Sequence, residues 1–571
     1  MARFNVANPA RTRGVVTSPT THSTGATFNG APGFERDVRG ELFLLATTNF
    51  VAQKTFYEDA KRRDSRFQQL VRQVAELDSR WTLEFLTWLR VGANMRTAAL
   101  VAGIEAARIV SASRAKYMPA VVQAAGMPTA RQMLDVVLQR ADEPGEAIGY
   151  WLANYGRKLP IWFKRGIGDA VMRLYTPYTY AKWDSDRRDI RFADVIEWSQ
   201  ISRARGDNSG LFKYILDQRH GRRDLNQLPE GKARELLVSR WKFGQIPAER
   251  RREMLGSLEL SFLMRQAGLT WEAFAGWLQG PMDAQAWETA IPQMGYGALL
   301  KNLRNFDEVG ISPEARKAVA LALCAPDAVA RSRVLPMQFL NAYNNVRSDF
   351  WRSVLDEAAT MSLGQIPRFP GRTLILVDTS YSMNERFTHN ANQRSADGVE
   401  HLMRWDVAAL FGLALAQASQ DATVVSFSDG HSNFHHGRTL HAPTGSLVFQ
   451  TRTGENLLAA VNRFRKTHFL GGGTQTKRAV DLHYQGHDRI VVLTDEQADE
   501  HGAEQVFANV PAKVPTYTFN LAGYRMGHAP SVGNRYTMGG LTDAGFTMIA
   551  ALEEVGKGRW PWEVTSSEPG R

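Results

Sequence analysis

The 571-residue chain has one cysteine, Cys324. That rules out an intramolecular disulfide framework and suits a reducing compartment. No stretch reaches the roughly 18 uncharged apolar residues of a membrane span, and the basic start M-A-R-F-N-V-A-N-P-A-R-T-R-G has no apolar run behind it to act as a secretion signal. A cytoplasmic protein without membrane association is expected. Also missing are a P-loop, a G-x-S-x-G turn, a paired metal-binding histidine motif and the kinase signatures, so no catalytic residue is assigned and the chain reads as a non-enzyme.

Acidic residues are short in one part of the chain only. From Gly371 onward there are 18 Lys and Arg against 20 Asp and Glu, so the first 370 residues hold 51 bases against 38 acids. The excess of the +11 net charge therefore sits in the N-terminal part. A basic part joined to a near-neutral one suggests that the first binds a polyanion and the second has another task.

What is present divides the same way. With 44% hydrophobic residues the chain can form real cores in two or more domains. Residues 1–29 are rich in Thr, Ser, Gly and Asn without periodicity and read as a flexible, loosely draped arm. From residue 30 to about 365 the pattern is helical almost throughout, with segments near 65–77, 80–91, 95–112, 129–140, 145–155 and 161–174. Trp81, Phe85 and Trp88 recur at the spacing of one buried helix face, which is the pattern of core rather than of a ligand site. So many short helices cannot share one core, so the part reads as an α-solenoid with no visible sequence period.

The C-terminal part, 370–571, is organised around T-L-I-L-V-D-T-S-Y-S-M, Thr373 to Met383. An uninterrupted apolar run closed by a polar turn reads as a buried parallel strand that delivers side chains to a site at its C-terminal end. Asp378, Ser380 and Ser382 offer hard oxygen donors on one turn, suited to Mg²⁺, Ca²⁺ or Mn²⁺ rather than zinc. The bland alternative is a loop whose Asp and Ser satisfy backbone N–H groups. Two later stretches favour the cation: G-G-G-T-Q-T, with Thr474, and R-I-V-V-L-T-D-E, a second buried strand ending at Asp495. Parallel strands are expected near 373–378, 422–427, 489–494 and 515–520, with covering helices near 401–419 and 454–465. His431, His435, His436 and His441 do not fit a helix face and read as a solvated hairpin rather than a soft-metal site.

The order D-x-S-x-S, loop Thr, strand-end Asp resembles the metal-ion-dependent adhesion site of von Willebrand factor A domains. That resemblance implies Ser380, Ser382 and Thr474 as ligands of a divalent cation, most simply Mg²⁺, with Asp378 and Asp495 acting directly or through water. It also implies a sixth position open to a partner's acidic group or to water. Arg140 to Tyr175, Gly40 to Phe50 and Ile291 to Phe306 resemble, in the right order, the TROVE module of the Ro autoantigen family. Together with the A-like C-terminus the resemblance covers about residues 30–560. It implies a HEAT-like helical-repeat solenoid closed into a ring by the A domain, with small noncoding Y-like RNAs on the basic outer face. It further implies that single-stranded 3′ ends of misfolded or immature RNAs enter the central hole for quality control, processing or decay, and that the partner is a 3′ exoribonuclease such as polynucleotide phosphorylase, as in the bacterial branch. Gln200 stands where members often carry histidine, and Gln475 follows Thr474 where the loop commonly reads G-G-T-D.

The candidate RNA contacts are Arg157, Lys158, Lys164, Arg165 and Arg173, then Lys182, Arg187, Arg188 and Arg191 with Tyr178, Tyr180 and Trp183 interleaved. Cations meet phosphates and flat rings meet unstacked bases. Lys301 and Arg304 share a helix face opposite Leu299, Leu300 and Leu303, and the motif comparison puts them nearer the ring opening. A reading from a different class stays open: a metal-dependent protein-adhesion or scaffold module whose basic helical half docks a protein.

Overall fold

The structure is a computed structural model. It describes residues 16 to 565 apart from 17, 19, 49–56, 118–124, 186–187, 202–208, 222–230, 333, 335, 363–365, 387–401, 431–432, 436–437, 441, 453, 499–504, 540–545, 547, 551 and 554–559. Helices run from Val38–Thr48 to Asp349–Ser362. The expected segments appear as Ala60–Leu77, Ser79–Val91, Arg96–Arg114, Ala130–Val137, Glu143–Tyr155 and Ile161–Leu174. Caps set their limits: Asp78 closes one helix and its carboxylate accepts from the Trp81 amide at 3.0 Å to open the next. Thr129 and Gln132 form a capping box ahead of Met133. Phe85 is fully buried and Trp81 nearly so, which makes the aromatic stripe core as read.

The apolar interior passes along the chain in successive clusters instead of gathering at one centre. One runs from Val16 to Leu237, a second from Phe243 to Ala290, and a third begins at Trp287 and continues into the C-terminal sheet.

The C-terminal sheet has six strands in the order Arg535–Gly539, Thr516–Asn520, Arg489–Thr494, Phe369–Asp378, Ser419–Phe427, Ser446–Phe449. The first five are parallel, and the last is an antiparallel edge. All four expected parallel strands are present; Arg535–Gly539 and the Ser446–Phe449 edge are additions that the sequence reading lacked. The Arg404–Ala418 and Leu457–His468 helices cover one face, and Thr476–His483 packs with the Leu374, Leu376 and Val492 side chains of the other. Central strands buried on both faces need no polar alternation, which is why they read as continuous apolar runs. The histidine-bearing segment forms an antiparallel hairpin of Asn433–His435 and Arg438–Leu440; His431, His436 and His441 lie outside the described residues.

Both ends of the helical run rest on the sheet domain. At the far end, Asp356 accepts a hydrogen bond from the Leu458 amide at 3.0 Å. At the near end, the Val38–Thr48 helix packs on the Arg535–Gly539 strand, where a Cβ on Gly539 would lie 2.4 Å from Thr47 Oγ1. Trp560 and Trp562, close to the C-terminus, sit 5.1 and 5.4 Å from the Trp81 ring. Val16, within the stretch expected to form a loose arm, is pinned here too, bridging Thr537, and just past that stretch Phe34 exchanges backbone hydrogen bonds with Gly527 at 3.0 and 3.1 Å.

Candidate cation site and basic surface

Register brings the two acidic strand ends together. Val377 pairs with Leu493, so Asp378 and Thr494 end adjacent parallel strands and Thr494 donates to Asp378 Oδ2 at 2.5 Å. This is the C-terminal edge of an α/β sheet, where such folds bind ligands. The turn that follows Asp378 is held by its own carboxylate, which accepts from the Ser380 amide at 2.9 Å. A short 3₁₀ turn, Tyr381–Met383, carries Ser382 back beside Ser380, with 3.2 Å between hydroxyl oxygens.

The glycine loop is laced to that turn. Gly471 donates to Thr379 O at 2.8 Å and the Tyr381 amide to Gly472 O at 2.9 Å, while Asp429 accepts from the Gly473 amide at 2.8 Å. Gly471 and Gly472 have φ of 72° and 88°, values a side chain would strain. The loop thereby delivers Thr474. Asp429 was not singled out from sequence; its place just past the Ser419–Phe427 strand was the available signal.

Asp378, Ser380, Ser382, Thr474 and Asp495 are all 3% exposed or less. Thr474 Oγ1 and Asp495 Oδ2 are buried with no hydrogen-bond partner among the described residues. Buried polar atoms are nearly always satisfied. Together with the Ser380 and Ser382 hydroxyls and the Asp378 carboxylate, two orphaned oxygens make a set of hard donors of the kind a divalent cation takes. No group of three His, Cys, Asp or Glu forms among the described residues, so hydroxyls dominate any cation site here.

Burial, with the Asp495 carboxylate beside it, pushes Asp378 up to about 7. Burial also raises Asp495, opposed by the Ser382 hydroxyl and by the Arg404 guanidinium. Two carboxylates out of water repel each other, which favours protonation of the pair unless a positive charge offsets the repulsion.

Residues from the far end of the sequence form the wall of the site, and sequence reading missed them. Asn29 Nδ2 donates to Gln497 O at 2.9 Å, the Phe28 amide donates to the Gln497 side chain at 2.9 Å, and Thr27 donates to Ala498 O at 2.8 Å. Tyr57 donates to Asn29 Oδ1 at 2.7 Å and shares a hydrogen bond with Ser382. Its phenol is pushed up to about 12 by burial and by the nearby Asp495 and Asp378 charges, with Asn29 and Ser382 opposing, so it is protonated at neutral pH. Next to it, Arg36 pairs with Glu496, both side chains fully buried, and Asn520 donates to the same carboxylate at 2.6 Å. His528 Nε2 lies 3.8 Å from Glu496; burial brings that imidazole down to about 4, against the pull of the carboxylate.

The basic candidates separate into two groups. Arg157, Lys158 and Arg165 are exposed and Lys164 is half-buried, and none of the four has an ion-pair partner among the described residues. The others are engaged: Arg173 with Asp135 at 3.0 Å, Arg188 with Asp142 at 3.3 Å and Arg191 with Asp184 at 2.5 Å. Arg187 lies outside the described residues. Lys182 sits over the Trp183 ring at 4.8 Å and the Tyr178 ring at 5.9 Å, with Arg140 over the same Trp183 at 4.3 Å. Lys301 is exposed, Arg304 reaches Glu308 at 3.5 Å, and Leu299, Leu300 and Leu303 are buried beneath them.

Comparison with known proteins finds a domain family and solved structures that this chain resembles. The TROVE domain family matches residues 269–418. A solved structure, the Ro (RSR) protein of Deinococcus radiodurans, superposes with a TM-score of 0.55 at 17% identity, over 88% of this chain and 96% of that one. No curated protein matches.

Proposed function

We propose, from the TROVE domain match over residues 269–418 and the fold shared with a bacterial Ro protein, that this chain is a Ro-type RNA-binding ring. In it, the helical repeats form the wall and the sheet domain holds the two ends. Structured small RNA, Y-like in kind, binds the outer face, and single-stranded 3′ ends of misfolded or immature RNAs enter the opening. A 3′ exoribonuclease such as polynucleotide phosphorylase is the partner this reading implies. The support for closure is that the helical run both starts and ends against one sheet domain, through Val38–Thr48 and Asp356.

The observation that carries the RNA reading is the run of cations at Arg157, Lys158, Lys164 and Arg165 with no ion-pair partner among the described residues. Cations without internal partners are available to phosphates, and the neighbouring Lys182, Tyr178 and Trp183 supply flat faces. Affinity for a structured RNA is expected to fall linearly on a log–log plot against salt, with a slope of roughly −4 to −5 for about six phosphate contacts. Lys164→Glu with Arg165→Glu is expected to flatten that slope by about 2 and to weaken binding across unrelated sequences. Binding that ignores salt would overturn the reading.

The cation belongs to the same proposal. Ser380, Ser382, Thr474, Asp378 and Asp495 would hold Mg²⁺, with Mn²⁺ or Ca²⁺ as substitutes, and its charge would offset the repulsion of the buried carboxylates. In this reading the ion is structural, since every donor is turned away from solvent. That burial weighs against an adhesion module, which must offer its ion to a partner.

A further inference from the structure

The A-type site implied by resemblance keeps one position open to an outside ligand. In this chain the Thr27–Asn29 segment, with Tyr57 bound to it, lies against the site. The pairs Phe28–Gln497, Asn29–Gln497 and Thr27–Ala498 fasten this segment to the residues immediately after Asp495. Gln497 in turn donates its own amide to Asp495 Oδ1 at 3.2 Å. The covering segment and the acidic turn are therefore one hydrogen-bonded unit.

Tyr57 is the group of that segment beside the donors. Its ring is fixed by stacking on Phe28 at 5.1 Å and by the edge of Tyr524 at 5.6 Å. The phenol proton is committed: it goes to Asn29 Oδ1, and Asn29 is oriented for this by donating its Nδ2 to Gln497 O. A hydroxyl whose proton is used on one side presents lone pairs on the other. Here that other side is Ser382, with the Asp495 and Asp378 charges close by, and Thr474 follows the Gly471–Gly473 loop that is hydrogen-bonded to the same turn.

We propose that Tyr57, supplied by the helical half, completes the cation site, its phenol oxygen filling the position otherwise left for an outside ligand. A bound cation then joins the two halves of one chain. The site takes a hard divalent cation, and Tyr57 stands where an acidic group from a partner would otherwise bind. The inference rests on the cation reading of the five donors, and its test separates the two.

The test uses the full chain and Mn²⁺ alone, followed by electron paramagnetic resonance titration. Wild type is expected to bind one ion and Thr474→Val to lose it. Tyr57→Phe keeps the stacked ring and is expected to bind at least about tenfold more weakly, the scale on which removal of a supporting group acts at metal sites. Hydrogen exchange gives a second readout. Mn²⁺ is expected to slow the Phe28 and Asn29 amides in wild type but not in Tyr57→Phe, while the Ser380 and Gln497 amides slow in both. Undiminished Mn²⁺ affinity in Tyr57→Phe overturns the role of Tyr57 and leaves the five-donor site standing. No binding by wild type overturns both. If Tyr57→Phe does not fold, Asn29→Ala, which releases the phenol proton, is expected to weaken Mn²⁺ in the same direction, and unchanged affinity there is equally fatal.

Discussion

Thr474→Val is the sharpest test of the cation site, because its effect is expected to change sign with the metal. Without a cation, Thr474 Oγ1 is buried with no hydrogen-bond partner among the described residues, a situation that costs about 1–3 kcal/mol. Valine has the same shape and no polar atom, so the variant in EDTA is expected to be as stable as wild type or up to about 1 kcal/mol more so. With Mg²⁺ at a hundred times its Kd, wild type gains about 2.7 kcal/mol by mass action. For a unit of the size of the sheet domain that is a rise of about 5–10 °C in its transition, at roughly 2–4 °C per kcal/mol. The variant has lost a ligand and is expected to show little of this rise. Differential scanning calorimetry with EDTA or Mg²⁺ reads both numbers, and Asp378→Ala serves as a control that must also lose the Mg²⁺ response. A Thr474→Val protein that is clearly destabilised in EDTA and responds to Mg²⁺ like wild type would refute the argument, since the hydroxyl would then have a structural partner and no ion.

Three further outcomes are expected. His528 titrates near 4 when folded against about 6.5 when unfolded; its folded value is depressed, so its contribution is present above pH 6.5 and is lost as pH falls toward 4. The loss is of the order of 3 kcal/mol, and urea titrations of the sheet domain's transition are expected to show it in wild type but not in His528→Phe. Trp81→Ala removes the ring that meets Trp560 and Trp562 and is expected to cost about 3–5 kcal/mol, with hydrogen exchange of the Pro561–Thr565 helix rising well before the rest; unchanged protection there would show that the C-terminal helix is held otherwise. Lys301→Glu with Arg304→Glu is expected to weaken a stem with a single-stranded 3′ tail much more than the same blunt stem in gel-shift titrations, and equal losses would put both residues on the general basic surface.

The convergence of Asp378 and Asp495 at one sheet edge was legible in the chain because the pattern that marks each strand end is local. Apolar runs ending in Asp378 and Asp495 are strands buried on both faces, and no tertiary information is needed to see that their C-terminal ends meet at one edge. Periodicity likewise fixed the helices, since a buried face repeats every three to four residues wherever the helix packs. Shorter or more polar elements left no such mark. Ser446–Phe449 is an edge strand of four residues, and Thr476–His483 is a two-turn helix.

What the sequence by itself determined was the pairing of a helical, basic half with a parallel-sheet half carrying a D-x-S-x-S site, because each follows from residue type and short-range spacing. Only the tertiary structure decided which cations are free and what closes the site. Arg173, Arg188 and Arg191 read like Arg157 and Arg165 in the sequence, yet carboxylates 7 to 46 residues away claim the first three. The reading of residues 1–29 as an arm without chemistry had composition as its only guide. Asn29 and Gln497 lie 468 residues apart, and no local pattern can register a hydrogen bond that exists only once the chain has returned to its own beginning.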